Sequence, residues 1–124
     1  MNNKPTILIV EDDRFLERMY SSKLEREGMN VLNASNGEEA LALMRQNIPD
    51  VVLLDIIMPK MDGLQVLKEM RASERLKNVS VILLTNLGEA ENVRQARALG
   101  ANDYLIKAHF LPSEVIEVIR KYIH

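Results

Sequence analysis

The residues best equipped for chemistry each follow directly on a short apolar run. Glu11, Asp12 and Asp13 come after Thr6–Val10, Asp55 after Val51–Leu54, Thr85 and Asn86 after Val79–Leu84, and Lys107 after Asp103–Ile106. Each has an ordinary reading: Asp13 as a helix cap, Asp55 as the start of a turn, Thr85 as strand filler, Lys107 as a snorkelling surface lysine. Their joint occurrence at strand ends is harder to explain that way. Bringing Asp12, Asp13 and Asp55 together costs roughly 4 kcal/mol per pair at about 4 Å and an effective dielectric near 20 unless a cation intervenes. Oxygen-only ligands that leave room for water suit magnesium better than zinc. A carboxylate beside such a cation, with a lysine and a hydroxyl opposite, could accept a phosphoryl group. Asp55 would be the nucleophile, with Lys107 and the cation neutralising the phosphoryl oxygens and Thr85 donating to one of them.

Those side chains converge only if the strands carrying them are neighbours. The apolar runs Thr6–Val10, Val51–Leu54 and Val79–Leu84 have the length and continuity of strands covered on both faces, while Met29–Ala34 and Asp103–Ile106 read as shorter or interrupted strands. Between them lie helical patterns. Arg14–Glu27 places Phe15, Leu16, Met19, Tyr20 and Leu24 at helical spacing and stops before Gly28. Asn36 and Glu39 open a helix carrying Ala40, Leu41 and Met44, and Leu64–Ala72 turns Leu64, Leu67 and Met70 inward. Gly88–Leu99 has a thin stripe of Val93, Ala96 and Leu99 before Gly100, and Pro112 opens a last helix with Val115, Ile116, Ile119 and Ile123 inward. Strict strand-helix alternation predicts an α/β fold: a doubly wound, five-stranded parallel sheet in the order 2-1-3-4-5, flavodoxin-like, with helices on both faces. In that order strands one, three, four and five are adjacent, and their carboxyl ends share one crevice.

The 124 residues, 47% of them hydrophobic, suffice for one core, so a single domain over residues 1–124 is expected. Sixteen basic and eighteen acidic residues are interspersed, giving a formal charge of -2 and no basic stripe, which argues against direct nucleic-acid binding and against a polybasic membrane patch. The chain has no cysteine, and the polar opening Met1-Asn2-Asn3-Lys4 precedes too short an apolar run for a signal peptide. A cytoplasmic address is the expectation.

The ordered set of Asp12-Asp13, Asp55, Thr85, Tyr104 and Lys107 resembles the receiver domain of two-component response regulators, of the stand-alone chemotaxis type, over essentially the whole chain. Met58-Pro59-Lys60-Met61-Asp62-Gly63 and Gly100-Ala101-Asn102-Asp103-Tyr104-Leu105 are similar to the family's segments after its third strand and before its fifth. The resemblance implies a phosphoacceptor signalling domain that catalyses only its own phosphorylation and dephosphorylation. Asp55 would take the phosphoryl group from a sensor histidine kinase or phosphotransfer protein. Magnesium would be held by Asp12, Asp13, Asp55 and the backbone carbonyl of Ile57, with Asp13 the more direct of the acidic pair. Thr85 and Tyr104 would be the switch pair, coupling the site to a protein-interaction surface formed by the fourth helix, the strand around Tyr104 and the last helix.

Two positions depart from the family pattern. Ala108 follows Lys107 where relatives usually carry proline. Because a cis bond before a non-proline residue costs about 2.5–4 kcal/mol, the Lys107–Ala108 peptide is expected to be trans, with His109 or Phe110 filling the altered loop. Asn86 follows Thr85 where a smaller residue is common, and would narrow the mouth of the site. Three other readings fit less well. A non-phosphorylated docking module would be expected to lack one of the key residues. A flavodoxin-like nucleotide or flavin binder needs phosphate-accepting backbone donors where Glu11-Asp12-Asp13 stands. A haloacid-dehalogenase-type phosphatase carries a different aspartate pattern on a longer chain.

Overall fold

The computed structural model describes residues 4–58, 61–86, 89–107 and 112–123. Ten elements alternate along it: β1 (Thr6–Val10), α1 (Arg14–Arg26), β2 (Asn30–Ala34), α2 (Gly37–Gln46), β3 (Val51–Asp55), α3 (Gly63–Ala72), β4 (Ser80–Thr85), α4 (Ala90–Ala98), β5 (Asp103–Ile106) and α5 (Pro112–Arg120). The strands form one parallel sheet in the order β2-β1-β3-β4-β5, as the alternation predicts. Strand periodicity divides the core in two. Leu8, Val10, Val52, Leu54, Val81 and Leu83 pack against Ala40, Leu41 and Met44 of α2, Val66, Leu67 and Met70 of α3, and Ala96 of α4. Their alternates Ile7, Ile9, Val51, Leu53, Ile82 and Leu84 pack against Tyr20 and Leu24 of α1 and Val115, Ile116 and Ile119 of α5.

Local chemistry sets the element ends. Asp13, Asn36 and Asp62 cap α1, α2 and α3 through their side-chain oxygens, satisfying N–H groups that have no helical partner. Gly28 and Gly100 adopt positive φ (85° and 101°) after α1 and α4, where a side chain would be strained. The pattern misplaces a few residues. Phe15, at helical spacing with Leu16, Met19, Tyr20 and Leu24, is nevertheless 75% exposed on the first turn of α1. Val66, passed over by the pattern, is fully buried. The fourth helix begins at Ala90, and Gly88 lies outside the described residues.

Candidate functional site

The register brings the expected groups to one rim. Val10 pairs with Leu54, Asp55 with Leu84, and Thr85 with Ile106, so β1, β3, β4 and β5 end at nearly the same level. Asp55 is the last residue of β3 and only 3% exposed. Behind it the chain folds back tightly: the Gly63 N–H donates to the Ile56 carbonyl at 2.8 Å, and a Cβ at Gly63 would collide with the Asp55 carbonyl oxygen and sit 2.8 Å from Ile56 Cα. Only glycine lets α3 start this close to the strand end. The Ile57 N–H donates to Asp55 Oδ1 at 3.3 Å, keeping the Ile57 backbone beside the carboxylate.

Lys107, directly after β5, reaches across the crevice. Its Nζ lies 3.0 Å from Asp55 Oδ2 and 2.7 Å from Glu11 Oε1, and all three side chains are almost closed to solvent. The Glu11 oxygen has its charge matched by this contact but receives no aligned hydrogen bond. Burial pushes the Glu11 carboxyl up to about 7, Lys107 opposing and Asp55 adding to the rise. Burial likewise raises the Asp55 carboxyl against the pull of Lys107. For Lys107 burial acts downward, but its contacts with Glu11 and Asp55 outweigh it and the ammonium is held above its usual value. The ammonium is therefore a fixed positive charge between two carboxyls reluctant to ionise.

The acidic set differs by one residue from the expected one. Oxygens of Glu11, Asp12 and Asp55 lie within 4.8 Å of one another, a grouping able to hold a metal ion. Asp13 is turned away. Its Oδ1 accepts the N–H groups of Phe15 (2.9 Å) and Leu16 (3.1 Å), so Asp13, expected as a direct ligand, stands here as the cap of α1 and outside that grouping. Glu11 stands in the grouping beside Asp12 and Asp55. The donor set fits a hard divalent ion. It is oxygen only, and Asp12 opens it to solvent.

Thr85, the last residue of β4, is 2% exposed, and its hydroxyl donates to Glu89 Oε2 at 2.6 Å, away from the acidic cluster. Asn86 is exposed at the rim, as its position there requires. Tyr104 on β5 is 41% exposed, with the Arg97 guanidinium 5.9 Å from its ring centre. Between Thr85 and Tyr104 lies a cavity of about 600 Å³ floored by Val93 and Ile106. The Lys107–Ala108 peptide, His109 and Phe110 lie outside the described residues, as do Pro59 and Lys60. Among the described residues no helix is long and apolar enough to cross a membrane.

Comparison with known proteins gives one consistent answer. Residues 7–120 match the family described as the response regulator receiver domain. The chain is similar to the transcriptional regulatory protein SrrA of Staphylococcus aureus, with 40% identity over 89% of this chain and 44% of that protein. It spans about half the length of the curated relatives it matches. It superposes on the Vibrio cholerae chemotaxis protein CheY4 with a TM-score of 0.90 at 28% identity, covering 98% of this chain and 100% of that one. It also superposes on the receiver domain of a sensor histidine kinase from Pseudomonas aeruginosa PAO1, solved with magnesium coordinated in its active-site cleft. There the TM-score is 0.86 at 30% identity, covering 96% and 97%.

Proposed function

Since the chain belongs to the response regulator receiver domain family, a family of signalling domains, we propose that it takes a phosphoryl group onto Asp55 from the phosphohistidine of a sensor histidine kinase or phosphotransfer protein. The observation that carries this is the Asp55 carboxylate, buried at the end of β3, 3.0 Å from Lys107 Nζ and grouped with Glu11 and Asp12. One Asp55 oxygen attacks phosphorus, an O–P bond forms, the N–P bond breaks, and the imidazole nitrogen leaves with the electron pair and is protonated by solvent. Glu11, Asp12, Asp55 and the Ile57 carbonyl would hold magnesium, with Asp13 kept to its capping role. When bound, the ion supplies positive charge that keeps Asp55 ionised and offsets the charge on the phosphoryl oxygens. Lys107 stands opposite, already 3.0 Å from Asp55, and neutralises a phosphoryl oxygen without having to move far.

Thr85 then donates its hydroxyl to a phosphoryl oxygen, and Tyr104 moves from the surface into the cavity beside it. This alters the face made by α4, β5 and α5. The scant burial of α4, where Ala96 alone is fully covered, suits an element that shifts. The domain acts on no substrate beyond its own phosphoryl group. We further propose that residues 1–124 form one receiver domain, cytoplasmic, that reads out through a downstream protein and binds neither nucleic acid nor membrane directly. Tyrosine ring NMR signals followed before and after phosphorylation test the switch: Tyr104 should become shielded, and signals unchanged across α4, β5 and α5 would contradict it.

A further inference from the structure

Among the four helices whose N-terminal caps are described, three are capped by a side chain turned forward onto their own N–H groups, and α4 is not. Its cap residue, Glu89, sits at φ -100° and ψ 24° and makes no side-chain capping bond. Its carboxylate turns back to the strand instead. Glu89 Oε2 accepts the Thr85 hydroxyl at 2.6 Å and the Asn86 N–H at 2.9 Å. Thr85 has one hydroxyl proton. The Asn86 carbonyl, which the hydroxyl also meets at 3.2 Å, is neutral and more distant. A short bond to a carboxylate is of the charge-assisted kind, roughly twice as strong as one between neutral groups.

We propose that Glu89 is a positioning residue for the Thr85 switch: in the unphosphorylated state its carboxylate holds the hydroxyl on the α4 side, and switching exchanges this anionic acceptor for a phosphoryl oxygen. The proposal rests on the phosphoacceptor reading of Asp55. Because one anionic acceptor replaces another, the exchange has a small net cost, which keeps the switch reversible. The carboxylate also lines the cavity into which Tyr104 would turn. Letting go of Thr85 therefore reshapes the space that Tyr104 must enter, so the hydroxyl and the ring move together.

The test uses the full chain with magnesium, titrated with beryllium trifluoride as a phosphoryl mimic and read by the NMR shift of the Tyr104 ring. Intact mass after treatment with a small phosphodonor is recorded on the same preparations. Glu89→Ala should reach half-conversion at about tenfold lower mimic concentration than wild type, the scale of one charge-assisted hydrogen bond. Glu89→Gln, of the same size and still able to accept weakly, should fall between them, and thermal unfolding of both variants checks that α4 is intact. In a Thr85→Ala background, Glu89→Ala should shift nothing. Normal labelling of Asp55 with an unshifted Glu89→Ala titration, or an equal shift in the Thr85→Ala background, overturns the latch alone. Failure of wild type to label at Asp55 overturns the phosphoacceptor reading and the latch with it.

Discussion

The β1–α1 and β4–α4 turns occupy the same topological place, each leading from a strand end at the functional rim into a helix that begins with an acidic residue. At the first, Asp13 adopts an extended backbone and its carboxylate bonds forward to Phe15 and Leu16 of its own helix. At the second, Glu89 bonds backward to Thr85 and Asn86. The helices differ in step: α1 buries Tyr20, Ser21 and Leu24, whereas α4 buries Ala96. A forward cap and a deep apolar stripe fix one turn, which carries Glu11 and Asp12. A backward bond and a thin stripe leave the other able to exchange partners. On the proposed function, ligand-holding and signalling would thus fall to two different turns of one sheet.

The comparison breaks first where the fixed side is held by charge. In magnesium-free buffer at pH 8, Lys107→Ala should lose about 3 kcal/mol in urea unfolding, since it strands two buried carboxylates, and recover much of it at pH 5 as they take up protons. A loss equal at both pH values would show that the ammonium is not matching those charges. Gly63→Ala comes next, at about 2 kcal/mol, because its Cβ meets strand backbone that cannot give. It should also weaken magnesium binding, whereas a purely packing defect would leave that affinity alone.

Wild type itself carries a pH signature. The folded pKa of Glu11 is raised from 4.5 to about 7, so its contribution to stability is fully present below pH 4.5 and is lost as pH rises through about 7. Metal-free protein should accordingly grow less stable across that window, and magnesium should reverse the trend by favouring the ionised form; a metal-free profile rising from pH 4.5 to 7 would contradict the burial of Glu11. The two acidic caps then sharpen the contrast. Asp13→Ala should cost about 1 kcal/mol with magnesium affinity unchanged. Glu89→Ala removes the bonds to Thr85 and Asn86 but no cap, so it should cost about 1 kcal/mol in the free protein and much less once the phosphoryl mimic is bound. A cost that is unchanged in thermal unfolding with the mimic bound would erase the distinction between the turns.

Much of this was legible from residue order. Continuous apolar runs in β1, β3 and β4 reveal strands buried on both faces, and alternation with helical patterns leaves the order 2-1-3-4-5 as the natural arrangement. Asp55, Thr85 and Lys107 were locatable because a strand's end is a sharp boundary in composition. Asp13 was not, because aspartate serves equally as ligand and as cap, and only the backbone conformation at that residue decides. Glu11 groups with Asp12 and Asp13 after the first strand but is given no ligand role there, and the strand's own alternation carries it inward beside Tyr20. Phe15 shows the limit of helical spacing: the pattern fixes a face but not where the sheet beneath it stops. The Glu89 contact with Thr85 leaves no mark in the sequence, since a glutamate ahead of a helix is ordinary.

The central claim is that Asp55 is the phosphoacceptor and that a cation in the Glu11–Asp12–Asp55 group enables it. Intact-mass measurement after incubation with a small phosphodonor and magnesium addresses both parts at once. One phosphoryl increment on wild type, lost in Asp55→Asn and lost with chelator, is the predicted result; an increment that persists in Asp55→Asn, or that forms equally well in chelator, would contradict it.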